Sequence, residues 1–170
     1  MTARHVLVAY GSKNGSTAEI AQWIGAALRE RHLEADVLPA AEVDDLAPYD
    51  AVLLGSGLYA GRWHRQATRL ARRRCHELAR RPVWLFSSGP LDTSADEHDI
   101  PPTPQVTRIA ARLDAYEHVT FGGSLADDAR GFIARQLLAH GKGGDFRNRE
   151  RIRRWAHAIA DELTGAPQII

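Results

Sequence analysis

An open α/β sheet, parallel and covered by helices on both faces, is the fold class this sequence predicts. Two observations carry it. Five short apolar runs alternate with stretches whose apolar residues recur every three or four positions. The third run, Asp50 to Ser56 (DAVLLGS), is apolar enough to be buried on both faces, as central parallel strands are. Right-handed crossovers leave few strand orders for such a chain.

The elements follow in order. His5 to Tyr10 is the first strand. A helix opens at Ser16, where Ser16 and Glu19 have capping-box spacing, and Ile20, Trp23, Ile24, Ala27 and Leu28 form its inward stripe. Ala35 to Pro39 (ADVLP) is a short second strand, and Asp50 to Ser56 the third. A long helix is expected from about Trp63 to Arg80, then a fourth strand, Pro82 to Ser88 (PVWLFSS). A polar, proline-rich connection spans Gly89 to Pro102. Thr103 looks like an N-cap with Pro104 at the first helical position, ahead of the stripe Val106, Ile109, Ala110 and Leu113. His118 to Ser124 (HVTFGGS) is the fifth strand, and the last helix, Asn148 to Leu163, buries Ile152, Trp155, Ile159 and Leu163. No repeat or linker divides the chain, so residues 1–170 are read as one domain.

Composition bounds the function classes. A chain of 170 residues can bury about 70% of its unfolded surface without staples. No apolar run reaches the ~20 residues that cross a bilayer, so no stable membrane insertion is expected. The start, MTARHVLVAYGS, enters a strand directly and shows no signal peptide, and Cys75 is the only cysteine. Both point to a reducing, cytoplasmic setting, with Cys75 a passive helical residue. Net charge is +1, and the arginines between Arg65 and Arg81 fall mostly around Leu70, Ala71 and Leu78, as on a solvated helix face. No nucleic-acid partner is expected, since no recognition motif with interleaved aromatics accompanies them. Asp96, Glu97, His98 and Asp99 do not make a convincing metal-ligand set, and Ser87, Ser88 and Ser124 sit on no nucleophile elbow. No catalytic residue can be named; His64 is the best placed for proton transfer.

The stretch carrying chemistry is VLVAYGSKNGSTAEIAQWI. Its turn is not a Walker loop, because Lys13 precedes Gly15, and not G-x-G-x-x-G, because Ser12 and Lys13 follow Gly11. What remains is Ser12, Lys13, Asn14, Gly15, Ser16 and Thr17 between a strand and a helix. Hydroxyls and turn amides there can donate to a phosphate, and the helix dipole adds roughly 0.3–1 kcal/mol. Helix capping alone is the other reading of these residues.

Tyr10, Ser12, Gly15, Thr17, Ala21 and Ile24 fill the slots of the flavodoxin signature, and the chain resembles that family over nearly its whole length; Ala9, where a larger side chain is usual, is the departure. The resemblance implies a three-layer, doubly wound, five-stranded parallel sheet of order 2-1-3-4-5 with FMN at the switch point, for which flavodoxin is a standing example. It implies that Ser12, Lys13, Asn14, Gly15, Ser16 and Thr17 hold the phosphate. The later loops, with Gly57, Leu58, Tyr59, Ala60, Gly61 and Trp63, then Ser88, Gly89, Pro90 and Leu91, would frame the ring. Tyr59 or Trp63 could supply an apolar wall, Gly57 and Gly61 allow close backbone approach, and a carbonyl near Ala60–Gly61 could turn toward the reduced flavin. Trp63 could equally start the next helix and pack inward.

Three further stretches resemble the menaquinone-dependent protoporphyrinogen dehydrogenases of the flavodoxin-like group. They are Gly55 to His64, F-G-G-S-L at Phe121 to Leu125, and K-G-G-D-F-R-N before the last helix. This implies an FMN-dependent oxidoreductase with an anionic tetrapyrrole substrate, a quinone acceptor and transient membrane association. The family's aromatic-rich basic insertion after strand five is shorter here, in ADDARGFIARQLLAHGKGG, which carries Arg130, Phe132, Arg135, Leu137 and Leu138 and could also be an ordinary amphipathic helix. Arg62, His64 and Arg65 beside the ring loop would steer an anionic substrate or redox partner. The rivals are a non-enzymatic electron carrier and a binding module that has lost its flavin.

Overall fold

Side chains alternate across each strand, and that alternation decides where the helices pack. The structure, a computed structural model, describes residues 4–13, 15–124 and 144–165. Its strands are β1 (His5–Gly11), β2 (Glu34–Pro39), β3 (Ala51–Tyr59), β4 (Arg62–Trp63), β5 (Val83–Ser88) and β6 (Glu117–Phe121). Its helices are α1 (Ser16–Glu30), α2 (Arg65–Arg73), α3 (Cys75–Ala79), α4 (Ser94–Glu97), α5 (Pro104–Leu113) and α6 (Arg149–Thr164). The sheet order is β2-β1-β3-β5-β6, all parallel, with β4 antiparallel on the end of β3. Counting the parallel strands alone, this is the expected 2-1-3-4-5.

Val6 and Val8 of β1, Leu53 of β3, and Trp84 and Phe86 of β5 face one side, where they bury against Ile20, Ile24 and Leu28 of α1 and Ile152 and Ile159 of α6. Their neighbours Leu7, Ala9, Val52, Leu54, Val83 and Leu85 face the other side, against Ala67 and Leu70 of α2, Leu78 of α3, and Val106 and Leu113 of α5. Each such large aliphatic contributes about 1.5–3 kcal/mol when fully buried. Three layers result, with the C-terminal ends of β1, β3 and β5 side by side at one edge.

Four expectations are corrected. The helix expected from Trp63 to Arg80 is two helices, broken where Arg74 leaves helical geometry (φ −115°, ψ 24°). Arg74 ties that corner by donating to Glu77 Oε1 at 3.0 Å and to the Asp44 carbonyl. The third strand runs three residues past Ser56, because its end folds back on β4. The fifth stops at Phe121, and Ser124 instead makes an isolated bridge to Asp145. The proline-rich connection contains the short helix α4, held by Asp92, which accepts from the Ser94 amide at 2.9 Å. The segment ADDARGFIARQLLAHGKGG, expected as an insertion or an amphipathic helix, lies outside the described residues up to position 143.

Candidate functional site

Gly11 ends β1 and lets the start of α2 close in: a Cβ there would stand 3.0 Å from the Cβ of His64 and 3.1 Å from that of Ala67. The chain then turns into α1 through Gly15, whose φ of 95° is the left-handed geometry glycine tolerates. Gly15 is therefore the N-cap, and the expected Ser16–Glu19 capping box is not made. Glu19 instead accepts from Arg147 Nη1 at 3.2 Å. Two turn amides are already engaged, where an array open to an anion was expected. Gly15 N–H donates to Ser12 Oγ at 3.0 Å, and Lys13 N–H donates to the Tyr59 hydroxyl at 2.8 Å. The Lys13 ammonium stands 4.8 Å from the centre of the Tyr59 ring. Asn14 lies outside the described residues.

Thr17 is the exception to this pairing. It is 0% exposed, and its Oγ1 has no hydrogen-bond partner among the described residues. An unmet buried hydroxyl costs about 1–3 kcal/mol, so its position at the first turn of α1 calls for an acceptor. Gly57 stands opposite: a Cβ there would lie 3.1 Å from Thr17 Oγ1 and 2.7 Å from the Tyr59 hydroxyl. Its missing side chain lets Thr17 and the Tyr59 phenol close in on the end of β3.

The stretch after Ser56, expected to be an open loop, is a hairpin. Leu58 pairs with Trp63 and Tyr59 with Arg62 across Ala60 (φ 52°) and Gly61 (φ 77°). Positive φ at both central residues matches the twist of the flanking strands. Gly61 serves the turn through its positive φ, and nothing lies within 4 Å of where its Cβ would be. Ser56 Oγ accepts from His64 N–H and donates to Gly57 O, both at 2.8 Å, tying the end of β3 to the start of α2. Trp63 starts no helix but does pack inward. It is 4% exposed, its indole N–H donates to Ser87 Oγ at 2.9 Å, and its backbone N–H donates to Gln105 Oε1 at 2.8 Å. Tyr59 is left as the aromatic beside Thr17 and Gly57.

His64 caps α2, its Nδ1 accepting from Gln66 N–H at 3.2 Å, and its ring meets Tyr59 edge-on at 6.1 Å. Burial first, then the charges of Arg65 and Lys13, push its pKa below the ordinary value, so the ring is neutral near pH 7.

The turn after β5 is stitched down. Ser88 Oγ donates to Gly122 O at 3.2 Å, Gly89 N–H to Phe121 O at 3.2 Å, and Gly123 N–H to Pro90 O at 2.8 Å. Leu58 packs on Gly89, 3.1 Å from where a Cβ would be, and Leu91 is half-buried beyond. Phe146 N–H in turn donates to Gly123 O at 2.9 Å. The next residue, Arg147, joins Asp145 at 2.6 Å, donates to Ser16 O at 3.2 Å and stacks 4.7 Å from the Trp23 ring. Residues 122–123 and 145–147 thus brace both the first turn and the turn after β5. By resemblance the sequence singles out both stretches, at Phe121 to Leu125 and in K-G-G-D-F-R-N, but not this bracing role.

Sequence reasoning also missed His118. Its Nε2 lies 2.8 Å from Ser87 Oγ, which already accepts from Trp63. Burial pushes the His118 pKa down to about 4. Ser87 is 1% exposed and His118 half-buried, and the chain from Trp63 through Ser87 to His118 ties β4, β5 and β6 together as a strut.

Hydroxyl, amide and glycine groups at adjacent strand ends, under a sheet reversal, define the class as a doubly wound domain with these residues gathered at its switch point. The flavodoxin domain model matches residues 7–143, and the chain belongs to that family. No curated protein matches it. Among solved structures it is similar to a cysteine-to-serine mutant of flavodoxin from Pseudomonas aeruginosa, at 19% identity and TM-score 0.62, covering 94% of this chain and 98% of that one. Oxidised flavodoxin 2 from Bacillus cereus gives 20% and 0.63, covering 93% and 99%. Rubredoxin oxygen:oxidoreductase from Desulfovibrio gigas gives 11% and 0.65, covering 95% of this chain and 36% of that one. At these identities the likeness is one of fold. Among the described residues, no helix is long and apolar enough to cross a membrane.

Proposed function

We propose that the chain binds FMN and works as an oxidoreductase of the protoporphyrinogen dehydrogenase-like group, with a quinone as electron acceptor. The observation that carries flavin binding is Thr17 Oγ1, buried and without a described partner, opposite Gly57. A terminal phosphate fits these donors. Thr17 would donate to it directly, Ser12 has its O–H left once its oxygen accepts from Gly15, and first-turn amides of α1 lack intrahelical acceptors. Charge-assisted bonds of this kind contribute about 1.5–3 kcal/mol each. Lys13 adds positive charge, and its amide becomes available when the Tyr59 hydroxyl withdraws. Tyr59 with the Ala60–Gly61 turn on one side, and Ser88 to Leu91 on the other, would flank the ring. FMN, when bound, supplies the redox chemistry.

Support for the finer assignment is the resemblance at Gly55 to His64, Phe121 to Leu125 and the late K-G-G-D-F-R-N, the last two of which meet through the Phe146–Gly123 bond. Arg62 and Arg65, both exposed, give the mouth a positive rim for an anionic substrate. An electron-carrier role is the second reading, favoured by the match to flavodoxins over nearly their entire length. Turnover of a porphyrinogen with a menaquinone analogue by the FMN-loaded protein tests the first reading. Absence of turnover, with flavin bound and reducible, rejects it for the carrier.

A further inference from the structure

Three hollows walled by described residues differ in how their charges are met. Between α1 and α6, Arg153 pairs with Glu30 at 2.7 Å and Arg31 with Asp161 at 3.8 Å. Beside the turn at 40–42, Arg74 is met by Glu77 at 3.0 Å, while Arg65, Arg69 and Arg73 in the same wall have no carboxylate within 4.0 Å among the described residues. The third, a groove of about 190 Å³ between α2 and α5, has Arg62, Arg72, Arg108 and Arg112 in its wall and no acidic residue. Among the described residues none of those four has a carboxylate within 4.0 Å.

We propose that this groove is a binding site for a small multivalent oxyanion, a polycarboxylate or polyphosphate; it shares Arg62 with the rim of the flavin mouth but does not rest on the flavin reading. The chain holds 22 basic and 21 acidic residues, so an acid-free groove with four arginines reflects segregation and not a general excess. Arg72 and Arg112 lie in the last turns of their helices, where the dipole favours a cation. Arg62 on β4 and Arg108 inside α5 have no such reason. The groove is also held in shape. Gln105 of α5 accepts the Trp63 N–H at 2.8 Å, which fixes Arg62 at the rim, and Ala71 (3% exposed) and Leu113 (0%) lie buried in its lining. Guanidinium forks bind carboxylates and phosphates in pairs of hydrogen bonds, so several forks around one hollow select a ligand with several anionic groups. The volume holds about six waters at ~30 Å³ each, which suits a compact organic anion. A monovalent ion leaves most of it empty, and a macromolecule rests only on its rim.

Calorimetric titration of the full chain without FMN, at fixed ionic strength, tests this with citrate and with inorganic pyrophosphate against sodium chloride. Saturable one-to-one binding of at least one is expected, and the preferred anion tells carboxylate from phosphate chemistry. Arg108→Gln with Arg112→Gln is expected to weaken binding roughly tenfold or more, while Arg153→Gln in the opposite hollow leaves it unchanged. Thr68→Glu, which puts a carboxylate into the groove wall without removing an arginine, is expected to weaken it too. No saturable binding of either anion overturns the proposal, as does an unchanged affinity in the folded variants or binding of a DNA oligomer or acidic peptide in place of both. A separate FMN titration shows whether the flavin reading stands, whichever way the anion result falls.

Discussion

Lowering the pH from 7 to 5 should destabilise this protein through one imidazole, His118. Its ordinary value is 6.5, and burial holds it at about 4 in the fold. Because the folded value is the lower one, the stabilising contribution is complete above pH 6.5. It is lost as the pH falls toward 4, where the unfolded chain takes up a proton that the fold refuses. Linkage over that window gives a loss of about 2 kcal/mol between pH 7 and 5. Asp50 and Asp145 cannot mimic it. Backbone amides of Arg4 and His5 hold the first below its ordinary 3.8, and the Arg147 side chain holds the second there, so their losses begin lower. His64 is shifted the same way as His118, so a variant is needed to separate them. His118→Gln retains a polar group beside Ser87 and removes the titration. Denaturant unfolding at both pH values should show the wild type losing about 2 kcal/mol more than this variant. Nuclear magnetic resonance of the His118 ring should show a midpoint near 4. Equal losses in both proteins, or a midpoint at the ordinary value, would refute the buried strut.

Three other substitutions probe the scaffold and the cradle. Gly55→Ala drives a methyl into the fully buried Phe86 ring, and thermal unfolding should register a loss of about 1–3 kcal/mol; an unchanged Tm contradicts the close packing of β3 on β5. Arg147→Ala removes the tie between Asp145, Glu19 and Ser16 O, for about 1–3 kcal/mol, and lysine should not restore it because the guanidinium fork is what reaches all three. Full rescue by lysine in chemical unfolding would contradict that. Tyr59→Phe releases the Lys13 amide and should tighten FMN by up to about 1 kcal/mol in a fluorescence titration; weaker binding would mean that the phenol itself serves the ligand.

What could be read from residue order was what depends on period and composition. Val6, Leu7, Val8 and Ala9 alternate between two buried faces, and that pattern predicts a two-sided sheet without tertiary knowledge. The α1 stripe and the Pro104 start of α5 were equally local. The hairpin at Ala60–Gly61 was hidden because alanine seldom takes positive φ, and its cause is the pairing of Leu58 with Trp63. The break at Arg74 was hidden because the arginine-rich run keeps helical spacing while the corner is tied to Glu77 and the distant Asp44 carbonyl. At the site, the residue types of the first turn were legible, but their pairing was not. That Lys13 N–H goes to Tyr59, 46 positions on, depends on the register of β1 against β3. The bracing of the β5 turn by Gly122, Gly123 and Phe146 is likewise a product of folding.

Titration of the purified chain with FMN, followed by quenching of flavin fluorescence, tests the central claim most directly when repeated on the Ser12→Ala, Thr17→Ala double variant. Saturable one-to-one binding is expected for the wild type, weakened in the variant by roughly 3 kcal/mol or more, over a hundredfold in Kd. A wild type that does not quench FMN, or a folded double variant that binds it as tightly, would contradict the phosphate cradle at the first turn.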